Sequence, residues 1–255
     1  MPSGLPPFGT VILAGGRGRR LGGADKPGLR IGGRTLAGIA VSAAVAAGAR
    51  QVVVVGPDRP ELAPLAAGLP GGLTVLREEP PGSGPVPALR CGVAALRLPR
   101  AVVLAADLPF LQARQLRTLR EAVDMRTSGP ADSAAPQNSR VAGAVYVDAD
   151  GRPQWLAGCW RTAVLRSALG SYSGASLHGV LEPLEPVLVS GDEADLLGGP
   201  WLDCDTPGDL ERARRIVSGN RALQPGQVPE EKAGAEGSCP ARLNGLQGAA
   251  PASAG

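Results

Sequence analysis

Histidine occurs once in this chain, at position 178, and lysine twice, at positions 26 and 232. With no ligand-type side chains beside it, His178 supports neither a catalytic triad nor a zinc site, and it reads as a helix-surface or partly buried residue. The four cysteines, Cys91, Cys159, Cys204 and Cys239, form no C-x-x-C pair. That spacing excludes the common zinc and redox motifs and fits reduced, structural thiols. Aromatic residues make up 3% of the chain, so the core must be built from Ala, Val and Leu, and the stacking platforms of single-strand nucleic-acid binders are lacking. A net charge of +3 is too small to indicate a nucleic-acid partner. No apolar run reaches the ~18–20 residues of a membrane span. The segment from Met1 to Pro7 has neither the basic nor the apolar region of a signal peptide. A cytoplasmic enzyme with no nucleic-acid or membrane partner is the expectation.

What the chain does have is alternation. Short apolar runs at Thr10–Ala14, Gln51–Val55, Leu73–Leu76 and Ala101–Ala105 read as buried strands. Helical patterns at Leu36–Gly48, Pro85–Leu98 and Leu111–Val123 separate or follow them. Such alternation predicts an α/β fold with a mostly parallel sheet covered on both faces. Ligands bind such sheets at the carboxyl ends of the strands. The second half changes character: Val141–Val147 and Gln154–Trp160 flank the turn Asp148–Gly151, Thr162–Leu169 is helical, Glu185–Val189 is a strand, and Pro207–Ser218 is a last helix. Residues 1–8 read as an N-terminal tail. From Gly219 to Gly255 the chain is rich in Gly, Pro, Ala and Gln and without periodicity, as in a disordered tail.

The first strand runs into Leu13-Ala14-Gly15-Gly16-Arg17-Gly18-Arg19-Arg20-Leu21-Gly22-Gly23-Ala24-Asp25-Lys26. Glycines permit backbone N–H groups to converge on an anion, and Arg20 and Lys26 add charge suited to a polyphosphate. Lys26 is the only lysine of the expected folded part, in a chain that otherwise uses arginine. Pro27 follows Lys26, so this is not a Walker A loop. Leu21 replaces the third glycine of a dinucleotide fingerprint. Kinase, GTPase and dehydrogenase chemistry are thereby disfavoured, and nucleotide binding through Leu13, Ala14, Gly15, Gly16, Gly18, Arg20 and Lys26 is expected. Asp107 follows the fourth strand between Ala106 and Leu108-Pro109, at the same sheet edge, where it suits a metal ligand better than a cap for a helix starting near Leu111.

The loop and Asp25-Lys26-Pro27 resemble the signature of the MobA-like nucleotidyltransferases, with Gly18 where many members have Ser. The resemblance continues at Gly32-Gly33-x-Thr35-Leu36, at Glu79-Pro80-Pro81-Gly82-Ser83-Gly84-Pro85-Val86, at Ala106-Asp107-Leu108-Pro109-Phe110 and at Asp203-Cys204-Asp205-Thr206-Pro207. It implies a three-layer, Rossmann-like nucleotidyltransferase domain over residues 9–218. It also implies Mg²⁺ at Asp107, with Asp205 a second metal ligand as in sugar-nucleotide relatives. From the residues alone, Asp205 beside Thr206-Pro207 reads equally as a helix N-cap. Glu79 and Gly84 are further nucleotide-pocket candidates, and Asp25 reads as a loop-structuring residue. The catalytic set expected is Arg20, Lys26 and Asp107.

Nucleotidyl transfer joins two anions, so charge neutralisation and in-line placement dominate, and an already ionised acceptor phosphate needs no general base. Base contacts are expected from Leu13–Gly15 and from the segment Val55–Asp58. The family implies GTP, or another nucleoside triphosphate such as CTP, with molybdopterin as acceptor. Gln154–Arg161 resembles the segment facing molybdopterin, while Trp155 and Trp160 read equally well as core aromatics. Sugar-phosphate nucleotidyl transfer and non-catalytic nucleotide binding are the competing expectations. A monomer or weak homo-oligomer is expected.

Overall fold

The computed structural model describes residues 5–15, 25–125, 141–191 and 204–222. Gly16, Gly18 and Arg20 of the glycine- and arginine-rich loop, and the tail from position 223, lie outside the described residues.

The first half supplies four parallel strands: β1 (Phe8–Leu13), β4 (Gln51–Val55), β5 (Leu73–Leu76) and β6 (Arg100–Ala105). Between β1 and β4 sits a small hairpin, β2 (Arg30–Ile31) with β3 (Arg34–Thr35). The second half adds β7 (Gly143–Val147), then β8 (Pro153–Arg161), which turns back from it, and β9 (Val187–Ser190), which forms the far edge. The sheet order is β5-β4-β1-β6-β8-β7-β9, and β8 alone runs antiparallel to its neighbours. The mostly parallel α/β sheet expected from the alternation is what the chain forms.

The strands read as near-continuous apolar runs because both faces are covered. Phe8, Ile12, Val52, Val54, Val102 and Leu104 point to one face, where α1 (Leu36–Ala46) and α3 (Ala113–Met125) pack. Val11, Leu13, Val53, Val55, Ala101 and Val103 point to the other, beneath α2 (Pro85–Ala95) and α4 (Thr162–Ser171). Close approach of α2 is fixed by Gly92: a Cβ there would lie 2.4 Å from Val11 Cγ1 and 2.9 Å from Val55 Cγ2.

Helix α1 is buried nearly all round, which explains why its sequence is apolar on every side. Thr35 caps it by accepting from the Gly38 N–H at 3.0 Å. Its outer side, Leu36 and Ile39, packs with Ile31, Cys204, Leu210 and Ala213 in a third apolar cluster. That cluster docks the last helix, α6 (Pro207–Ala222), beside the β2–β3 hairpin, and so brings the segment around Asp205 back to the first half of the chain. Helix α6 continues past the expected Ser218 into the segment assigned to the tail.

Several boundaries differ from expectation for local reasons. Helix α2 stops at Ala95, short of Leu98, where Leu96 turns extended. Gln51 Nε2 and Arg166 Nη2 donate to its last carbonyls. Helix α3 begins after Gln112, whose N–H donates to Gln115 Oε1. Strand β9 begins at Val187 because Glu185 takes a left-handed conformation, φ 48°, ahead of Pro186. The short helix α5 (Leu177–Leu181) and the 3-10 turns at Pro60–Ala66 were not expected. No helix among the described residues is long and apolar enough to cross a membrane.

Candidate nucleotidyltransferase site

The carboxyl ends of three central strands lie level. Leu13 is in register with Val55 on one side and Ala105 on the other. The chain continues the ladder one step further: Ala14 N–H donates to Val55 O at 2.8 Å and Ala106 N–H to Leu13 O at 3.0 Å. Gly56 packs directly against this turn, and a Cβ there would meet Ala14 O at 2.6 Å. The two segments expected to contact the base, Leu13–Gly15 and Val55–Asp58, are therefore adjacent.

Lys26 starts a 3-10 turn, Lys26–Gly28, at the end of the glycine- and arginine-rich segment. Its ammonium reaches two carboxylates that are remote in sequence: Asp107 Oδ2 at 2.5 Å, just after β6, and Asp205 Oδ1, just before α6. The side chain is 14% exposed, against 22% for Asp107 and 42% for Asp205. Burial alone would lower the ammonium's pKa, but the hydrogen bonds and charges of Asp107 and Asp205 outweigh it and hold the pKa above its usual value. Lys26 therefore stays charged across the neutral range.

Neither aspartate caps the helix that follows it. Asp107 does not cap α3, which Gln112 and Gln115 begin. Nor is Asp205 the cap of α6. Thr206 and Asp209 supply a reciprocal capping box: Thr206 N–H donates to Asp209 Oδ2 at 2.8 Å, and Asp209 N–H donates to Thr206 Oγ1 at 3.2 Å. Both aspartates thus meet the shared cation.

Glu79 is exposed, and no hydrogen bond or ion pair among the described residues joins it to this cluster. Its neighbour Glu78 is buried and accepts from Gly82 N–H at 2.8 Å, shaping the turn that ends at Gly84, φ 110°, where α2 begins. Asp25 is held by Arg59, a residue the sequence did not single out.

Asp107 also borders a cleft of about 290 Å³ that is lined by Leu108, Gln154, Trp155, Leu156 and Leu177. The two tryptophans of β8 lie in different surroundings. Trp160 is fully buried in the core, fitting over Gly143 and Gly158, where a Cβ would come within 2.3 Å and 2.8 Å of its ring. Trp155 is half-buried and lines the cleft, with His178 edge-on at 5.7 Å. His178 is a helix-surface residue on α5, paired with Glu182 at 3.2 Å.

No group of three or more His, Cys, Asp or Glu among the described residues is placed to hold a metal. Two carboxylates already gathered on one cation do fit a hard divalent ion that takes its remaining oxygens from substrate phosphates and water.

Comparisons with known proteins agree with this geometry. Residues 10–187 match the model of the MobA-like NTP transferase domain. A protein of Natronomonas pharaonis named as a probable molybdenum cofactor guanylyltransferase is 30% identical over 214 residues, covering 82% of this chain and 97% of that one. Among solved structures, the molybdopterin-guanine dinucleotide biosynthesis protein A of Archaeoglobus fulgidus superposes with a TM-score of 0.58 at 19% identity, covering 83% of this chain and 99% of that one. The 2-C-methyl-D-erythritol 4-phosphate cytidylyltransferase of Thermus thermophilus gives 0.54 at 19% identity, covering 82% and 98%. A level trio of strand ends, a cation shared by two aspartates there, and a family match across most of the described fold lead to one assignment: this chain belongs to the MobA-like NTP transferase domain family of nucleotidyltransferases.

Proposed function

We propose that this protein transfers GMP from GTP to molybdopterin, releasing pyrophosphate. The observation that carries the reading is the convergence of Lys26, Asp107 and Asp205 at the carboxyl edge of the sheet. The named activity of the Natronomonas relative supports the choice of guanine and of acceptor.

In this reading the triphosphate lies along the loop from Leu13 to Lys26, with Gly15, Gly16, Gly18 and Arg20 lining it. The base sits against Ala14 and Gly56, and Glu79 and Gly84 border the nucleotide side. Lys26 neutralises phosphate charge. Asp107 and Asp205 would hold Mg²⁺, which would supply the positive charge that transfer between two anions needs. The acceptor occupies the cleft that Trp155 and Asp107 both line. Its terminal phosphate is ionised at neutral pH, so the lack of a histidine in the cluster is no obstacle.

Pyrophosphate release with Mg²⁺ and molybdopterin, compared for GTP and CTP, tests the assignment. Release with GTP supports it. Release with CTP alone moves the protein to cytidylyl transfer. Nucleotide binding without pyrophosphate release in the presence of any acceptor rejects the catalytic reading.

A further inference from the structure

Arg59 belongs to none of the motifs of the phosphate-binding loop, yet its side chain is only 4% exposed. It follows β4 and precedes the 3-10 turn Pro60–Ala66, where the fully buried Leu62 donates its N–H to Arg59 O at 3.1 Å. Both terminal nitrogens of its guanidinium grip one carboxylate: Nη1 donates to Asp25 Oδ2 at 3.0 Å and Nη2 to Asp25 Oδ1. A paired fork of this kind fixes orientation as well as distance, which a lysine does not do. Glu61 stands by at 3.7 Å.

The two ends of this bond differ in burial. Arg59 is rooted in the body of the domain, whereas Asp25 is 60% exposed. The contact therefore tethers the outer segment to the inner one. Asp25 directly precedes Lys26, and Pro27, directly after it, is buried with its φ fixed by the ring. Gly28 leaves room for the grip, because a Cβ there would lie 2.3 Å from Asp25 Oδ2. Lys26 is thus held on both sides while its side chain spans Asp107 and Asp205. Arg59 also neutralises a third carboxylate, one residue from an ammonium that already has two.

We propose that Arg59 is a positioning residue: by holding Asp25 it fixes the Lys26 ammonium against Asp107 and Asp205, and through Lys26 it sets the affinity for the nucleoside triphosphate. The second half rests on the reading of Lys26 as a triphosphate ligand; the first half does not.

The chain contains two lysines, so nitrogen-15 lysine labelling of the full protein gives two side-chain ammonium resonances, assigned with a Lys232→Arg variant. The resonance of a Lys26 freed from its carboxylates is defined by the Asp107→Asn, Asp205→Asn double variant. Arg59→Met and Asp25→Asn, which cut the tether from its buried and exposed ends, should each move the Lys26 resonance toward that reference. Arg59→Lys, which keeps charge but loses the fork, should lie between. An unmoved resonance in both Arg59→Met and Asp25→Asn overturns the proposal, and agreement between the two excludes misfolding of either as the cause. In parallel, calorimetric GTP binding should weaken on the order of tenfold in Arg59→Met, with no further loss when Arg59→Met is added to Lys26→Ala. Independent, multiplying losses overturn the coupling. If Lys26→Ala binds GTP like the wild type, the triphosphate reading fails while the resonance still decides the positioning role.

Discussion

Lys26 Nζ lies 2.5 Å from Asp107 Oδ2, although 81 positions separate the two residues. The register of the sheet creates this meeting: Leu13 and Ala105 pair across β1 and β6, so the loop after β1 and the turn after β6 leave the sheet at one level. Asp107→Asn should reduce nucleotidyl transfer by about 100-fold or more while the far-ultraviolet circular dichroism and melting temperature remain close to wild type. Lys26→Ala should weaken triphosphate binding and lower turnover. Steady-state kinetics on the two variants check both, and wild-type rates in Asp107→Asn would remove it from the reaction.

Asp205 meets the same ammonium because Thr206 and Asp209 have taken over the capping of α6. Thr206→Ala should therefore cost about 1 kcal/mol of stability, the usual loss for an N-cap. Asp205→Asn should change turnover more than stability. Urea unfolding of the two variants separates cap from site, and an equal stability loss in both would return Asp205 to a capping role.

The two tryptophans of β8 should divide in the same way. Trp155→Ala should raise KM for the acceptor and leave KM for the triphosphate unchanged, since Trp155 lines the cleft proposed for the acceptor, whose lining includes neither Lys26 nor Asp205. Trp160→Ala should destabilise the fold by about 3–5 kcal/mol, as for a large buried aromatic, because it fills the space over Gly143 and Gly158. Kinetics with each substrate varied in turn, beside thermal melts, provide the check.

These pairs show which parts of the site the sequence carries. Asp107 is legible because a run of apolar residues ends one step before it, and strand ends are where an open α/β sheet binds ligands. Asp205 stayed ambiguous because it adjoins Thr206-Pro207, a helix start, and capping can slip by one residue. The box Thr206-Pro207-Gly208-Asp209 is itself a sequence signal, with Asp in the place usually taken by Glu or Gln. Arg59 carried no local signal: its partner Asp25 lies 34 residues away, and burial of a cation follows from tertiary packing alone. The β2–β3 hairpin and α5 escaped notice because strands of two residues and a helix of five are shorter than the periods that reveal them. Trp155 and Trp160, on one strand, could be told apart only once a cleft was seen beside one and a core around the other.

Stability should also fall in alkali through Cys159. The thiol is fully buried, and burial, followed by the charge of Asp124, pushes its pKa up to about 12 against 9.0 for a free thiol. The unfolded chain then loses this proton at lower pH than the folded one. The contribution is complete below pH 9 and is lost as pH rises from there toward 12. Urea unfolding at increasing pH should show a steeper decline for the wild type than for Cys159→Ala, by up to about 1.4 kcal/mol per pH unit. Parallel declines would contradict the burial of the thiol.

The most direct test follows the α-phosphorus by phosphorus-31 NMR in wild type and Asp107→Asn, each with Mg²⁺, GTP and molybdopterin. The wild type should consume the triphosphate signals and produce free pyrophosphate together with a new diphosphate linkage, and chelation of Mg²⁺ or the Asp107→Asn change should stop both. Release of inorganic phosphate in place of pyrophosphate, or equal progress in the two proteins, would contradict nucleotidyl transfer at the Lys26, Asp107 and Asp205 site.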